Sequence, residues 1–197
     1  MFKVEATGDL LSFTGQSQTV AAPMTETPVE AALVAAVRSG DPDAFGRLYT
    51  QYARMVHGIL LARVPYGEVE DLVQDVFLTA LRKLDTLRDA ALFGPWLAMI
   101  TRNRAMDYHR RKRETDELPE TLAQHTTPQA EANEVLAHIR ELPEAYREPL
   151  ILRFVEGMTG PEIAARTGLA PASVRVNIHR GMKLLRARLQ VGYGKEQ

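Results

Sequence analysis

The most constraining feature of this chain is a glycine-centred break between two helical patterns near its C-terminus, in residues 159–188. Pro161 and Pro171 each suit the first position of a helix, because a backbone N–H at that position would have no partner within the helix. Gly168 can adopt the left-handed conformation that ends a helix, and Leu169 can then fold back onto a core. Two helices joined by so short a turn form a helix-turn-helix, whose second helix enters the DNA major groove. The pattern predicts DNA binding.

The second helix of this motif has one stripe expected to be exposed and another expected to be buried. The exposed stripe, at i, i+1, i+4 and i+5, comprises Arg175, Val176, His179 and Arg180. The buried stripe comprises Val174, Ile178, Leu184 and Leu185. Residues 162–188 hold six Arg or Lys against a single acid, Glu162. An αα-hairpin from any small helical domain is the alternative interpretation, and the charge favours DNA binding over it.

The composition excludes several classes of protein. A length of 197 residues, 45% of them hydrophobic, suits one large or two small domains with real cores. No apolar run approaches the roughly 18 residues of a membrane helix, so no membrane insertion is expected. Residues 1–20 lack a secretory pattern, which makes the cytoplasm the expected location. Because the chain has no cysteine, it can form no disulfide and no thiolate.

The net charge of −1 hides two basic blocks. One is the helix-turn-helix, and the other is residues 102–113, with six Arg or Lys against one acid. Acids follow the second block directly, at Glu114, Asp116, Glu117 and Glu120. Two basic blocks separated by an acidic linker indicate two contact surfaces.

The periodicity predicts an all-α protein of two small helical domains joined by a flexible acidic linker, the second domain containing the helix-turn-helix. The expected divisions are a disordered extension at 1–28, a helical domain at 29–113, a linker at 114–128, a second domain at 129–191 and a tail at 192–197.

Apolar spacing predicts which side chains each helix buries. Asp41 followed by Pro42 predicts a capped helix start. The helix after this cap is expected to bury Phe45, Leu48, Tyr49, Tyr52, Val56, Ile59 and Leu60. The next is expected to bury Val69, Leu72, Val73, Val76, Phe77, Ala80, Leu81 and Leu84. In the second domain one helix is defined by Tyr146, Leu150, Ile151, Phe154 and Val155.

The fourth helix, expected at 95–113 after a partly helical loop at 85–94, combines aromatic and cationic side chains. A groove for single-stranded nucleic acid needs aromatic faces for stacking and cations along the backbone. The aromatic candidates are Phe93, Trp96 and Tyr108, and the cations are Arg102, Arg104, Arg110 and Arg111. The amide of Asn103 can read a base edge. The alternative is a solvated basic helix end, and for Trp96 a place in the core is favoured.

Asp71, Gln74 and Asp75 share the outward face of the third helix, at i, i+3 and i+4. A solvated face and a docking surface for a basic partner helix are both compatible with this pattern. Catalysis is disfavoured because no further metal-ligating side chain recurs at ligand spacing nearby. The histidines are scattered, and the chain has neither a phosphate-binding glycine loop nor a GxSxG elbow. The sequence predicts no enzyme, no metal and no cofactor.

Taken in order, five segments resemble a bacterial RNA polymerase sigma factor of the extracytoplasmic-function (ECF) group of the sigma-70 family. They are residues 40–52, 71–84, 96–113, 142–169 and 173–189. Together they cover the chain from about residue 29 to 189.

The resemblance implies roles for these surfaces. The first domain would bind core RNA polymerase through Asp71, Gln74 and Asp75. The same domain would capture the −10 promoter element as an unpaired strand through Trp96, Arg102, Asn103, Arg104, Asp107, Arg110 and Arg111. The helix-turn-helix would read the −35 element as duplex DNA through Ser173, Arg175, Val176, Asn177, His179, Arg180 and Lys183. An anti-sigma factor is a further implied partner.

The chain departs from the family at Ala172, Ser173, Asn177 and around Gly181. Glycine within a helix is expected to weaken it by about 1 kcal/mol relative to alanine. Residues 1–28 lie outside the resemblance. Two alternatives remain open at this point: a conventional helix-turn-helix regulator that acts without polymerase, and a sigma mimic that sequesters an anti-sigma protein.

Overall fold

The computed structural model describes residues 27–115 and 128–193, with side chains within 29–113 and 134–190, and all regular structure in these ranges is helical. The helices are α1 (Thr27–Arg38), α2 (Pro42–Leu61), α3 (Val69–Lys83), α4 (Phe93–Thr115), α5 (Pro128–Arg140), α6 (Glu144–Phe154), α7 (Gly160–Thr167) and α8 (Pro171–Tyr193). Short 3-10 turns occupy Tyr66–Glu68, Leu84–Thr86 and Ala90–Leu92. Most of the predicted extension and acidic linker lies outside the described residues.

The start of α2 follows directly from its sequence. The side chain of Asp41 accepts hydrogen bonds from the backbone N–H groups of Asp43 and Ala44, which have no partner inside the helix. The predicted stripe is buried except at two positions. Phe45 is partly buried, and Tyr49 is 40% exposed because its ring lies over the edge of the core, 4.5 Å from the ring of Phe77.

Helices α3 and α4 pack against α2 and complete the core of the first domain. All the predicted core residues of α3 are buried except Leu81, which is 44% exposed. The loop before α4 contains two of the 3-10 turns, which accounts for its partly helical sequence pattern. Helix α4 begins at Phe93, two residues earlier than expected.

In the second domain, α6 packs against α8, but its C-terminal end departs from the sequence pattern. Leu150 and Ile151 are fully buried. Phe154 and Val155 were expected in the core and are 57% and 50% exposed. The helix ends at Phe154, so the chain turns away from the core before these two side chains can reach it.

The helix-turn-helix consists of α7 and α8. Thr159 and Glu162 form a reciprocal capping box at the start of α7, which places Pro161 at its second position rather than its first. Gly168 ends α7 in the left-handed conformation, with φ of 75°. In α8, Val174 and Leu185 are buried and Ile178 is partly buried, but the prediction for Leu184 is wrong because it is 41% exposed.

The glycine within α8 is a packing requirement. A Cβ at Gly181 would lie 2.9 Å from Cδ1 of Leu150 and 3.0 Å from Cβ of Tyr146. The backbone of α8 at this position therefore lies too close to α6 to leave room for a Cβ. The expected penalty of glycine is offset by this contact, which a larger residue would disturb.

Candidate nucleic-acid interface

Helix α8 presents its predicted DNA-reading side chains to the surface. Ser173, Arg175, Val176, His179, Arg180 and Lys183 are exposed, and Asn177 is half-buried. Arg175, Arg180 and Lys183 form no ion pair with any residue that the structure describes. Positive charge without an internal partner is available to phosphate or to the acceptor atoms of guanine.

A groove of about 1230 Å³ runs along one face of α8. Arg175, His179 and Lys183 lie on its α8 wall together with Arg186. The start of α7 forms the other wall, with Arg153 of α6 beside it. Sequence reasoning missed Arg153, because it lies about twenty positions before α8 and only the fold brings it to this groove.

The basic half of α4 is arranged differently. Arg102 donates through Nη2 and Nε to the carboxylate of Glu148, over 2.7 Å and 3.1 Å. Burial disfavours the charge of Arg102, but the hydrogen bonds and negative charge of Glu148 outweigh it and raise the pKa of this guanidinium. Arg102 is thus half-buried in a contact between the two domains.

Two residues that were assigned to different roles contact each other. Arg104, expected on the −10 surface, donates to the carboxylate of Asp75, expected on the polymerase-binding face. Asp71 and Gln74 remain exposed on the same face of α3. The ion pair links α3 to α4, so the two predicted surfaces are adjacent.

The remaining predicted residues of α4 lie on several of its faces. Asn103 is exposed, Arg110 and Arg111 are exposed near the C-terminal end, and Asp107 lies 2.8 Å from Arg110. Trp96 is partly buried against the core, with its ring centroid 5.8 Å from that of Phe93, in agreement with the interpretation favoured for it.

Two methionines were not singled out in the sequence. Met99 and Met106 are 50% and 64% exposed, and they lie on the same helical face as Asn103. Their position on the same helical face as Asn103, which was expected to be exposed, is the sequence signal that could have identified them.

Other kinds of site find no support in the part of the chain that the structure describes. No group of three or more acidic or histidine side chains there could hold a metal ion. None of the described helices is long and apolar enough to span a bilayer.

Comparison with known proteins identifies the family. Residues 48–115 match the family Sigma-70 region 2, and residues 132–185 match Sigma-70, region 4. The chain is 32% identical over 158 residues to RNA polymerase sigma factor CarQ of Myxococcus xanthus, covering 76% of this chain and 91% of that protein. It is 30% identical over 186 residues to the ECF RNA polymerase sigma-E factor of Escherichia coli K12, covering 85% and 97% respectively.

Two solved structures are similar to most of the chain. CnrH in complex with the cytosolic domain of CnrY has a TM-score of 0.61 and 27% identity, covering 83% of this chain and 98% of that one. RpoE in complex with the anti-sigma factor NepR from Bartonella quintana has a TM-score of 0.53 and 26% identity, covering 75% and 97%.

The chain belongs to the ECF group of the sigma-70 family of RNA polymerase sigma factors. It is a transcription initiation factor that directs promoter recognition by RNA polymerase, and not an enzyme. This membership confirms the resemblance and the all-α, two-domain fold. It supports the role of initiation factor over the two alternatives, a conventional helix-turn-helix regulator and a sigma mimic.

Proposed function

We propose that the two basic helices of this sigma factor read different forms of promoter DNA. Helix α8 would read the −35 element as a duplex, and α4 would hold the −10 element as an unpaired strand. This division is based on a difference between the two helices. The exposed face of α8 carries cations without ion-pair partners beside a groove, whereas the exposed face of α4 carries the amide of Asn103 between two methionines.

On α8, exposed side chains divide between base reading and positioning. Arg175 and Arg180 can donate to guanine, and Val176 can contact a thymine methyl group. Lys183 and Arg186 lie further along the helix, where phosphate contacts would orient α8 without adding sequence information. Ser173, Asn177 and His179 complete the proposed duplex-reading face.

On α4, a flipped base would be held beside Asn103. Extraction of a base costs a few kcal/mol of stacking and pairing, which stacking and phosphate contacts must offset. Arg110 and Arg111 are exposed, with Arg110 paired to Asp107 on the same helix, whereas Arg102 and Arg104 pair with carboxylates on other helices and must leave them to reach phosphate. Trp96 and Asp107 would shape the site rather than contact phosphate.

We propose that Asp71, Gln74 and Asp75 dock core RNA polymerase. Asp71 and Gln74 are exposed, and Asp75 lies on the same face of α3, where it pairs with Arg104. An acidic and amide face suits a basic partner helix. We also propose an anti-sigma partner, since the similar sigma factor RpoE has been solved in complex with the anti-sigma factor NepR. The proposed location is the cytoplasm, where polymerase transcribes.

The test is run-off transcription from a promoter library with core RNA polymerase. Arg175→Ala and Asn103→Ala variants should each lose promoter-specific transcripts, while Arg47→Ala, an exposed cation of α2 far along the chain from both helices, should not. If the two variants transcribe as well as Arg47→Ala, the assignment of α8 and α4 as reading helices is wrong.

A further inference from the structure

The methionines of this chain differ widely in their exposure to solvent. Met55 and Met158 are buried, with 0% and 2% of their surface exposed. Met182 of α8 is partly buried against the core. Met99 and Met106, both on α4, are 50% and 64% exposed. Among the methionines that the structure describes, the two most open to solvent therefore belong to the same helix.

Both exposed methionines lie on the face of α4 that carries Asn103. Met99 comes four positions before Asn103 and Met106 three positions after it, so the three side chains project from successive turns on one side of the helix. They are called the Asn103 face here. Leu92, directly before α4 and 53% exposed, extends the same side seven positions before Met99. A thioether on each side of an amide offers a base a soft, polarizable contact.

The sulfur atoms of the Asn103 face are accessible targets for a two-electron oxidant. The chain has no cysteine, so no thiol of its own competes for that oxidant. With a peroxide, a sulfur lone pair attacks one peroxide oxygen, and an S–O bond forms as the O–O bond breaks. Sulfur loses two electrons, the peroxide is reduced, and the departing oxygen takes up a proton and leaves as water. The product on the protein is methionine sulfoxide.

Oxidation changes the property that suits the Asn103 face to a base. The thioether is apolar and flexible, whereas the sulfoxide is polar and chiral. A base packed against a sulfoxide must displace water from its oxygen, which costs free energy unless a hydrogen-bond donor replaces that water. Met55 and Met158 are shielded in the core, so the same oxidant leaves the packing of the two domains intact. The loss is therefore expected in binding rather than in folding.

We propose that Met99 and Met106 form an oxidation site through which a peroxide reduces the capture of the −10 strand by α4. This inference rests on the proposed role of the Asn103 face in holding that strand. Conversion of both thioethers to sulfoxides weakens binding to the strand and spares the duplex-reading face of α8. Methionine sulfoxide reductases reverse the change, because one such enzyme reduces each sulfoxide epimer.

Peptide mapping of the full chain tests whether oxidation is selective. The free chain is treated with hydrogen peroxide, the peroxide is removed with catalase, and mass spectrometry measures the sulfoxide fraction at each methionine. Trypsin places every methionine of this chain in a peptide of its own. Met99 and Met106 should be oxidised at least about tenfold faster than Met55 and Met158, because the reaction requires access to sulfur. Equal rates at the exposed and buried positions would overturn the proposal.

The effect on DNA is measured with holoenzyme assembled from the oxidised chain and untreated core RNA polymerase. The probe is a labelled single-stranded oligonucleotide that carries a −10 sequence selected from the promoter library. Affinity for this probe should fall on the order of tenfold, and treatment with the reductases should restore it. Binding to core enzyme and to a −35 duplex should change much less, because α3 contains no methionine and Met182 of α8 is partly buried. Equal losses in all three would indicate general damage and overturn the proposal.

Leucine variants assign the effect to the two methionines, each variant being compared with its own untreated state. Met99→Leu combined with Met106→Leu keeps apolar surface on α4 but removes both sulfur atoms, so peroxide should no longer lower its affinity for the −10 probe. Met182→Leu is the matched control and should stay as sensitive to peroxide as the native chain. A double variant that loses affinity as the native chain does would show the proposal to be wrong.

An untreated Asn103→Ala variant separates this inference from the proposed function on which it rests. If Asn103→Ala binds the −10 probe as tightly as the native chain, the proposed role of the Asn103 face is wrong, and with it the effect of oxidation on capture. If Asn103→Ala weakens binding and peroxide does not, the face holds the strand and the oxidation proposal alone fails.

Discussion

Helices α4 and α8 are both 23 residues long and basic, yet their cations are held in opposite ways. The central cations of α4, Arg102 and Arg104, pair with carboxylates on other elements. On α8, Arg175, Lys183 and Arg186 face a groove and form no ion pair with the described residues. The same positive charge in the sequence therefore has different consequences. The cations of α8 can contact DNA directly, whereas Arg102 and Arg104 of α4 can do so only after their ion pairs break.

The largest expected effect would test the availability of α8. Arg175→Ala should weaken binding to −35 duplex DNA by about 1–3 kcal/mol, roughly 5- to 150-fold, because a bidentate donor to a base edge is lost. Arg102→Ala should leave duplex affinity unchanged. Fluorescence anisotropy with a −35 duplex measures both variants. Equal losses in the two would remove the distinction between the helices.

The next effect concerns how α8 sits on the core. Gly181→Ala should destabilise the chain by about 1–2 kcal/mol, since overpacking against Leu150 and Tyr146 outweighs the helix propensity of alanine. Gly46→Ala in α2 has open space within 4 Å and should instead stabilise by about 0.5–1 kcal/mol. Thermal unfolding of both variants gives the comparison. A stabilising Gly181→Ala would contradict the close packing of α8 on α6.

The salt dependence of binding distinguishes phosphate contacts, which position α8 on DNA, from contacts that read the bases. Lys183→Ala should weaken binding to all duplex sequences about equally and reduce the slope of log affinity against log salt by about 0.9, as expected for one lost phosphate contact. Titrations at several salt concentrations, with specific and scrambled duplexes, measure this. A loss confined to one sequence would place Lys183 among the base-reading residues.

The smallest effect is on the contact between the two domains, whose intact form is called the closed state here and which His57 of α2 joins. Nδ1 of His57 lies 2.6 Å from Glu156, two residues after the end of α6, with Glu70 3.7 Å from Nε2, and the hydrogen bond to Glu156 raises the pKa of His57 above 6.5. Since the raised pKa belongs to the closed state, its stabilisation is present below pH 6.5 and is lost as pH rises through the raised value. The closed fraction should therefore fall with rising pH.

Distances from pulsed electron resonance, between one nitroxide label on each domain, measure this pH dependence. His57→Gln serves as the control because it cannot titrate, and its closed fraction should stay flat over the same range. A native profile as flat as that of His57→Gln would show that the imidazole does not contribute to closure.

Local chemistry made part of the site predictable. The spacing of Arg175 and His179, with the buried Val174, identified the exposed face of α8 from helical period alone. The failures at Leu81 and Leu184 share one cause: apolar residues continue past the edge of a helical stripe, and only the neighbouring helices decide which of them is covered. Phe154 is exposed for a different reason, because α6 ends there.

The sequence by itself determined the start of α2 and the start and end of α7, because Asp41, Thr159 and Gly168 act on backbone groups within a few residues of themselves. Only the tertiary structure decided which groups Arg102 pairs with and why a glycine is needed at position 181, where α8 packs closely on α6. Glu148 is 46 positions away from Arg102, and Leu150 is 31 from Gly181. Charge pairing and close packing depend on distances in space, which neither helical period nor local propensity encodes.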